Sequence, residues 1–284
     1  MAGASVAAEL APGRRVILVE KEEQPGLHAT GRSAAYFAAA YGKRVVRELT
    51  GCCEAFFRAP PDGFSELRLL RPRDCMFFGR PDQSASLQAM QEDNPELKFL
   101  DAGEVRRRVP VFAEGYLHGA LREPRGGDLD VDAILQGYLR LFRRRGGTLL
   151  GSRRATTLHA HAGAWRVTAG GEEYEAGLVV NAAGAWADRV ARQAGVGPIG
   201  LQPLRRTVVL LPPPPGHDPR GWPMVIDVDE EFYFKPDAGQ LLLSPANEDP
   251  SEPCDAAPEE LDVAIARRGR RADRAERVDV RDGR

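Results

Sequence analysis

Glu20 ends a short apolar strand that the sequence predicts over residues 16–20. A carboxylate at the carboxyl end of a parallel strand accepts hydrogen bonds from the ribose hydroxyls of a dinucleotide, and it repels a phosphate placed there. The pattern therefore disfavours NADP. Only one glycine, Gly3, precedes the helix predicted over residues 3–10, so only half of the usual glycine-rich fingerprint is present.

A run of small residues follows the Glu20 strand after one loop: Thr30, Gly31, Arg32, Ser33, Ala34 and Ala35. A pyrophosphate and a planar ring need small residues, hydroxyls and free backbone NH groups nearby. A helix start capped by Thr30 or Ser33 is the alternative reading of the same residues.

A second small-residue turn lies further along the chain. The apolar run at residues 178–183 predicts a strand buried on both faces, and Gly184 then turns the chain sharply into another helix. Alanine and glycine at residues 181–186 let the backbone approach a cofactor from the far side of the same sheet. A tight packing turn without a ligand is the alternative.

Other elements must position these motifs. Apolar residues at helical spacing predict helices over residues 41–57 and 132–145, the second capped by Asp132. A β-meander is expected from strands at residues 148–151, 155–161 and 165–168. A second sheet is expected from strands near residues 75–78 and at residues 207–211, 232–235 and 240–244.

Composition favours small-molecule chemistry. The 284 residues suffice for about two domains, and a net charge of −2 gives no general attraction to nucleic acid or to anionic membranes. No apolar run reaches the roughly 20 residues needed to span a bilayer, so no transmembrane segment is expected.

Neither the cysteines nor the histidines predict a metal site. The four cysteines form no CxxC pair, which is typical of reduced thiols in a cytoplasmic protein. We expect the adjacent Cys52 and Cys53 to be buried small residues. His159 and His161 would share one face of a strand, but no third ligand is evident nearby.

Three segments together resemble the FAD-dependent D-amino-acid oxidoreductase (DAO) family, and within it most closely the D-arginine dehydrogenases: EKEEQPGLHATGRSAAYFAAAYG, VVNAAGAWAD and FYFKPDAGQLLLSPANEDPSEPCD. The resemblance covers nearly the whole chain up to Ala266. It implies an α/β flavoprotein with a Rossmann-like FAD-binding domain that lacks its first strand, and a second, α+β substrate domain with a mixed sheet. The FAD-binding domain would comprise residues 1–45 and 120–200, and the substrate domain residues 46–119 and 201–266.

The resemblance also implies the reaction. A hydride passes from the Cα of a D-amino acid to flavin N5, and water hydrolyses the imine to a 2-oxo acid and ammonia. Because the cofactor performs the redox step, the protein has to fix the carboxylate and the amine of the substrate. By analogy, the electron acceptor is expected to be a quinone or another carrier rather than oxygen.

The family motifs assign roles to particular residues. Among the candidate catalytic residues, Tyr233 is expected to hydrogen-bond the substrate carboxylate, Arg206 to contact the substrate and Tyr41 to line the pocket. From the residues alone, Tyr233 fits a core aromatic equally well, and Arg206 beside Arg205 is typical of a solvated surface pair. The expected FAD contacts are Gly3, Glu20, Thr30, Ser33, Ala34, Ala35, Ala155 (through its backbone), Ala183 and Gly184.

Two pocket positions depart from the D-arginine dehydrogenases. Tyr36 stands where those enzymes carry a histidine close to the substrate, and Cys75 stands where they place an acidic residue facing the guanidinium. Because a cationic substrate would lose its counter-charge, we expect a preference for a neutral or apolar D-amino acid over D-Arg or D-Lys.

Two alternatives stay open. One is an amine oxidoreductase of the same fold that acts on glycine or sarcosine. The other is an inactive, truncated remnant, because the family's first strand and its segment beyond Ala266, with a second carboxylate-binding arginine, have no counterpart in the sequence. Residues 267–284 are dense in Arg and Asp and are expected to be a disordered, out-of-frame tail.

Overall fold

The computed structural model describes residues 1–269. The α-helices in that range are α1 (Ala2–Leu10), α2 (Arg44–Arg58), α3 (Ser84–Asp93), α4 (Ala102–Arg108), α5 (Val131–Arg144), α6 (Ala187–Gln193) and α7 (Glu260–Gly269). The strands are β1 (Ile17–Val19), β2 (Tyr36–Phe37), β3 (Leu70–Pro72), β4 (Cys75–Gly79), β5 (Lys98–Asp101), β6 (Gly119–Glu123), β7 (Gly127–Leu129), β8 (Thr148–Leu150), β9 (Ala155–His161), β10 (Ala164–Ala169), β11 (Glu172–Ala176), β12 (Leu204–Arg205), β13 (Val209–Leu211), β14 (Met224–Asp227), β15 (Tyr233–Asp237), β16 (Gln240–Ser244) and β17 (Asp249–Pro250).

A seven-stranded mixed sheet forms the larger layer, in the order β13-β16-β15-β14-β4-β6-β5. Its neighbouring strands are antiparallel except β14 and β4, which run parallel with Met224 opposite Cys75. Two distant stretches of chain therefore build one sheet. The sheet contains the predicted strands β4, β13, β15 and β16, together with β5, β6 and β14, which the sequence did not predict.

Alternation of side chains gives this sheet two different faces. One face carries Phe78, Val225 and Phe234 and packs into an apolar core. The opposite face, which we call the Tyr233 face, carries Cys75 and Tyr233 and packs against other buried residues, including Ala40, Leu87 and Leu121. The strands are hydrophobic on both sides because both faces are covered.

A smaller layer pairs β1 with β8 in parallel, and α1 and α5 pack against it. Ala4 and Ala8 of α1 are buried. A Cβ on Gly3 would lie 3.3 Å from Cδ1 of Leu18, so this glycine allows the helix to approach the strand. The small-residue composition of α1 therefore explains its close packing, as the sequence predicts.

Helix α5 buries an amphipathic face that includes Ile134, Leu139 and Phe142. Its N-cap is Asp130, whose side chain accepts a 2.9 Å hydrogen bond from the backbone of Ala133. The predicted cap, Asp132, is wrong, because the chain is already helical from Val131 and Asp132 lies within the first turn. Strands β9, β10 and β11 form an antiparallel meander, of which β9 and β10 were predicted. The third predicted strand, at residues 148–151, is wrong as a meander strand, because β8 pairs in parallel with β1 and β11 takes its place beside β10.

The strand predicted at residues 178–183 does not form. Those residues belong to no strand, and the side chains of Leu178 and Val180 are 60% and 49% exposed. Within residues 1–269 the backbone of this segment pairs with no neighbouring strand, so its apolar pattern alone cannot produce a buried strand. Ile17 of β1 is exposed as well.

Cys52 and Cys53 are exposed, not buried as predicted. Both lie on α2, which buries none of its side chains fully, and the apolar residues Val45 and Leu49 of the same helix are also exposed. The helical spacing of α2 is thus as predicted. Only the C-terminal end of its apolar side is covered within the described residues, where Phe56 and Phe57 pack against the cluster that contains Phe64.

Helix α7 extends through residue 269, so it includes the first three residues of the segment expected to be disordered from residue 267 onward. The rest of that segment lies outside the described residues. None of the helices within residues 1–269 combines the length and the apolar character that a membrane span requires.

Replacing Phe78 with alanine should lower the free energy of unfolding by about 3–5 kcal/mol, because it leaves a cavity in the core of the large sheet. Leu210, an exposed apolar residue of the same sheet, provides the control, and its alanine variant should change stability by less than about 0.5 kcal/mol. Urea denaturation of the two variants measures the difference. Equal losses would contradict the assigned core.

Candidate functional site

The edge formed by the end of β1 and the loops after it gathers the predicted cofactor residues. The backbone amide of Glu20 donates to Leu150 O at 2.9 Å, and Glu20 O accepts from the amide of Arg153 at 2.8 Å. The chain leading to Ala155 therefore runs beside Glu20. One carboxylate oxygen of Glu20 accepts from the amide of Glu22 at 3.1 Å.

Thr30 and Ser33 lie on the same edge. The α-amino group of Met1 donates a 3.0 Å hydrogen bond to Thr30 Oγ1, and Ser33 Oγ donates to Thr30 O at 3.1 Å. Burial lowers the pKa of the Met1 ammonium, while the nearby Glu20 carboxylate acts in the opposite direction. Glu20, Thr30 and the start of α1 are thus neighbours.

The turn at residues 181–186 packs against this edge. A Cβ on Gly3 would lie 3.6 Å from Cβ of Ala182. Gly184 has a φ of +55°, and a Cβ there would meet nothing within 4 Å, so its backbone borders open space. Asn181 fixes the turn by accepting from the amide of Ala183 at 3.3 Å.

Trp186 ties the turn to the loop after β1. Lys21 Nζ lies 3.5 Å from the centre of a Trp186 ring, and the His28 ring centre lies 4.7 Å from Trp186 on a tilted plane. His28 also contacts Glu22, with 2.8 Å between Nε2 and Oε1. The three small-residue motifs therefore meet at one edge through packing that the sequence analysis did not foresee.

These residues fit a dinucleotide cofactor. Glu20 offers a carboxylate for ribose hydroxyls, the start of α1 offers unpaired amides for a pyrophosphate, and Gly184 leaves room for a close approach. Ala35 has a φ of +51°, an unusual conformation for alanine, and its carbonyl accepts from the amide of Leu129.

A single short segment, residues 30–41, leads from this edge to the Tyr233 face. Ala34, Tyr36 and Tyr41 all pack against the buried cluster that contains Cys75 and Tyr233. The predicted cofactor positions and the predicted substrate pocket are therefore adjacent, because one stretch of backbone carries residues of both.

The three predicted catalytic residues converge on this face. Tyr41 Oη donates a 2.7 Å hydrogen bond to Glu230 Oε2. Burial raises the pKa of Tyr41, the hydrogen bond to Glu230 raises it further, and Arg206 beside the hydroxyl opposes both. Tyr233 is buried and contributes to the electrostatic surroundings of Arg206.

Arg206 is part of a network and not of a solvated surface pair. Its guanidinium contacts Asn247 O and the Glu248 carboxylate. Burial opposes its charge, yet the nearby Tyr41 hydroxyl and the Glu248 carboxylate keep the pKa of Arg206 above its ordinary value. The neighbouring Arg205 points to Glu259 and Asp262 instead.

Tyr36 and Cys75, the two departures from the expected pocket, are both buried polar groups. Tyr36 Oη donates to Arg73 O at 2.7 Å, and burial, with the Cys75 thiol and Glu123 nearby, raises the pKa of Tyr36. Burial likewise raises the pKa of the Cys75 thiol. Both side chains are therefore neutral, and neither provides a charge for the substrate.

Sequence reasoning missed several charged residues around the pocket. Glu230 accepts the hydrogen bond of the Tyr41 hydroxyl. Glu123, on β6, lies opposite Cys75 of the neighbouring strand β4. Lys235 is buried on the Tyr233 face, and its Nζ lies 3.0 Å from Oδ1 of Asp128. Lys235 occurs two residues after Tyr233, so strand periodicity offered a signal for it. Glu230 offered none, because it is 189 residues from Tyr41 in sequence.

An edge that fits a dinucleotide, joined by one segment to a face with a half-buried arginine and two tyrosines, is typical of a cofactor-dependent oxidoreductase. The chain belongs to the DAO family of FAD dependent oxidoreductases, whose sequence model matches residues 1–279. The FAD cofactor is thereby confirmed, and so is the fold class.

Curated relatives extend this result. The chain is 26% identical over 195 residues to an L-2-hydroxyglutarate dehydrogenase of Escherichia coli (strain K12), covering 66% of this chain and 45% of the relative. It is 33% identical over 125 residues to a monomeric sarcosine oxidase of Streptomyces avermitilis, covering 43% of this chain and 32% of the relative. The chain thus spans about half the length of the curated relatives it matches. These relatives support the family and not the D-arginine dehydrogenases specifically.

Solved structures share the fold. L-proline dehydrogenase from P. horikoshii matches with a TM-score of 0.78 and 18% identity, covering 93% of this chain and 72% of that chain. Glycine oxidase from Geobacillus kaustophilus matches with a TM-score of 0.75 and 19% identity, covering 94% and 74%.

Replacing Glu230 with glutamine should lower the pKa of Tyr41, because a neighbouring negative charge that disfavours tyrosinate is removed. The pKa should stay above the ordinary value of about 10, since burial is the larger cause. Spectrophotometric titration of each protein with and without Tyr41→Phe, followed by subtraction of the two curves, isolates the titration of this tyrosine. The matched variant Glu231→Gln, whose carboxylate pairs with Arg80, should leave the Tyr41 pKa unchanged.

Replacing Glu20 with alanine should weaken FAD binding about tenfold to a hundredfold, the loss expected for hydrogen bonds to a charged group. Quenching of flavin fluorescence during titration of the apoprotein measures the affinity. Glu23→Ala, on the exposed loop just beyond, provides the control and should bind FAD normally. Equal affinity of wild type and Glu20→Ala would remove Glu20 from the cofactor site.

Proposed function

We propose that the chain oxidises the Cα–N bond of a D-amino acid with a neutral or apolar side chain, giving an imino acid. FAD, when bound, supplies the hydride acceptor. The observation that carries the proposal is segment 30–41, which joins the small-residue edge to the cluster of Tyr41, Arg206 and Tyr233.

Arg206 is suited to bind the substrate carboxylate. It is a permanent cation, it is partly buried, and its guanidinium donates hydrogen bonds to the Glu248 carboxylate and the Asn247 carbonyl. Tyr233 supplies a hydroxyl from the buried face of β15, within the electrostatic reach of the same guanidinium. Tyr41 lies beside Arg206, packs against the cluster that contains Tyr233, and keeps its own proton, because burial and Glu230 both favour the neutral phenol.

The substrate side chain is expected to meet apolar and neutral groups. Met224 and Cys75 lie opposite each other in the sheet, and Ile226 and Phe77 form the next pair on the same face. A cationic side chain would find no free carboxylate at Cys75, and desolvation of an unpaired cation is costly. This favours residues such as D-Ala and D-Met over D-Arg.

A second candidate is oxidation of glycine or of a secondary amine such as sarcosine. It is supported by the 33% identity to a monomeric sarcosine oxidase over 125 residues. Both candidates need the same carboxylate-binding arginine. For either, we infer that electrons pass on to a quinone or another carrier, and that the protein acts in the cytoplasm, by analogy with the family.

Anaerobic reduction of the flavin distinguishes the candidates. We expect the purified, FAD-loaded chain to be yellow and to bleach with D-Ala or D-Met, slowly with D-Arg, and not with the L enantiomers. Faster bleaching by sarcosine or glycine would favour the second candidate. Bleaching only by L-2-hydroxyglutarate would reject both, and a chain that binds no flavin would have no such activity.

Replacing Arg206 with leucine should raise the KM for the amino acid by about tenfold or more, because a charge-assisted hydrogen bond to the carboxylate is lost. Steady-state reduction of an artificial dye acceptor measures the change. Arg220→Leu is the matched control, since Arg220 is exposed and pairs only locally with Asp218, and its KM should match wild type. An unchanged KM in Arg206→Leu would place the carboxylate elsewhere.

A further inference from the structure

Glu123, the last residue of β6, is a carboxylate buried to 1% exposure within an apolar cluster. Its Oε2 accepts a hydrogen bond from the backbone amide of Ala40 at 3.2 Å, and the amide of Ala39 also favours its charged form. A buried carboxylate at this position therefore binds the backbone of segment 30–41, which lies 83 residues earlier in the chain.

An apolar residue would fill the same space without the desolvation penalty of a buried carboxyl group. Burial raises the pKa of Glu123, so the site disfavours its charge. Its other oxygen, Oε1, is buried without a hydrogen-bond partner and lies 3.8 Å from Nη2 of Arg125. Neither Cys75, opposite it in the sheet, nor Tyr36 nearby donates to it. The amides at residues 39 and 40 are thus the principal interaction partners of the Glu123 carboxylate.

Those amides stand directly before Tyr41. The chain leaves β2 at Phe37, makes a turn and enters α2 only at Arg44, so this stretch has no strand partner of its own. Within it, the amide of Tyr41 donates to Ala38 O at a long 3.4 Å. Ala40 is buried, and a buried amide without an acceptor is strongly unfavourable. Glu123 supplies that acceptor.

We propose that Glu123 is a positioning residue for the substrate pocket: its carboxyl oxygen fixes the turn at residues 38–40 and thereby places Tyr41 beside Glu230 and Arg206. The consequence for substrate binding rests on the proposed function. The positioning itself is a property of the chain alone, and it requires only an oxygen acceptor at residue 123.

Two variants of similar size distinguish the role of a hydrogen-bond acceptor at residue 123 from the role of side-chain volume. Glu123→Gln keeps an oxygen that accepts from Ala40, whereas Glu123→Met fills the cavity with an apolar side chain of comparable length. Hydrogen–deuterium exchange of the peptide covering residues 37–44 is the first readout. We expect Gln to protect it as wild type does, and Met to raise exchange at Ala40 about tenfold or more, with β15 unaffected.

Two outcomes would overturn the positioning role. Equal exchange in Gln and Met would mean that Glu123 acts by volume or charge, and faster exchange throughout the large sheet in Met alone would mean a general loss of stability. The second readout is the KM of the preferred substrate, which Met should raise severalfold with kcat less affected, while Gln leaves it unchanged. If no substrate reduces the flavin, the proposed function fails, but the exchange result still decides the role of Glu123.

Discussion

The arrangement of the site depends on the double-sided burial of three adjacent strands, β4, β14 and β15. Because successive side chains point to opposite faces, Phe234 enters the core while Tyr233 faces the pocket. A slip of one residue would exchange these two side chains and bury a hydroxyl in an apolar core. The same packing that stabilises the sheet therefore fixes which residues lie on the Tyr233 face, the face that the proposed function assigns to the substrate.

Charged groups on the Tyr233 face are tolerated because each one has a partner. Lys235 is buried against Asp128, and Asp128 also accepts from Arg73 at 2.6 Å. Burying a charge without a partner is unfavourable by several kcal/mol, about the margin by which a domain is stable. Asp128 lies on β7 and Arg73 follows β3, so these ion pairs also attach the small sheet, β2-β7-β3, to the large one.

Local sequence patterns predicted many elements but not the contacts between them. Helices α1, α2 and α5, strands β9 and β10 of the meander and strands β4, β13, β15 and β16 of the large sheet follow from hydrophobic periodicity and turn residues, whereas β5, β6 and β14 were not predicted. Residues 178–183 have an equally strong pattern and form no strand, because a buried strand needs neighbours that a pattern cannot supply. The pocket shows the same limit. Family motifs pointed to Tyr41, Arg206 and Tyr233, whereas Glu230 and Glu123 emerge only from contacts across long sequence separations.

The distribution of charge along the sheet argues for a neutral substrate side chain. Met224, Cys75 and Glu123 lie side by side on three neighbouring strands, and Lys235 shares their face. Lys235 is paired with Asp128, and one oxygen of Glu123 accepts a hydrogen bond from the amide of Ala40. The other two residues of this row are Met224, with a thioether, and Cys75, with a buried, neutral thiol. Because burial raises the pKa of Glu123, the site disfavours a full negative charge there, which under the proposed function makes a neutral substrate side chain a better fit than a cationic one.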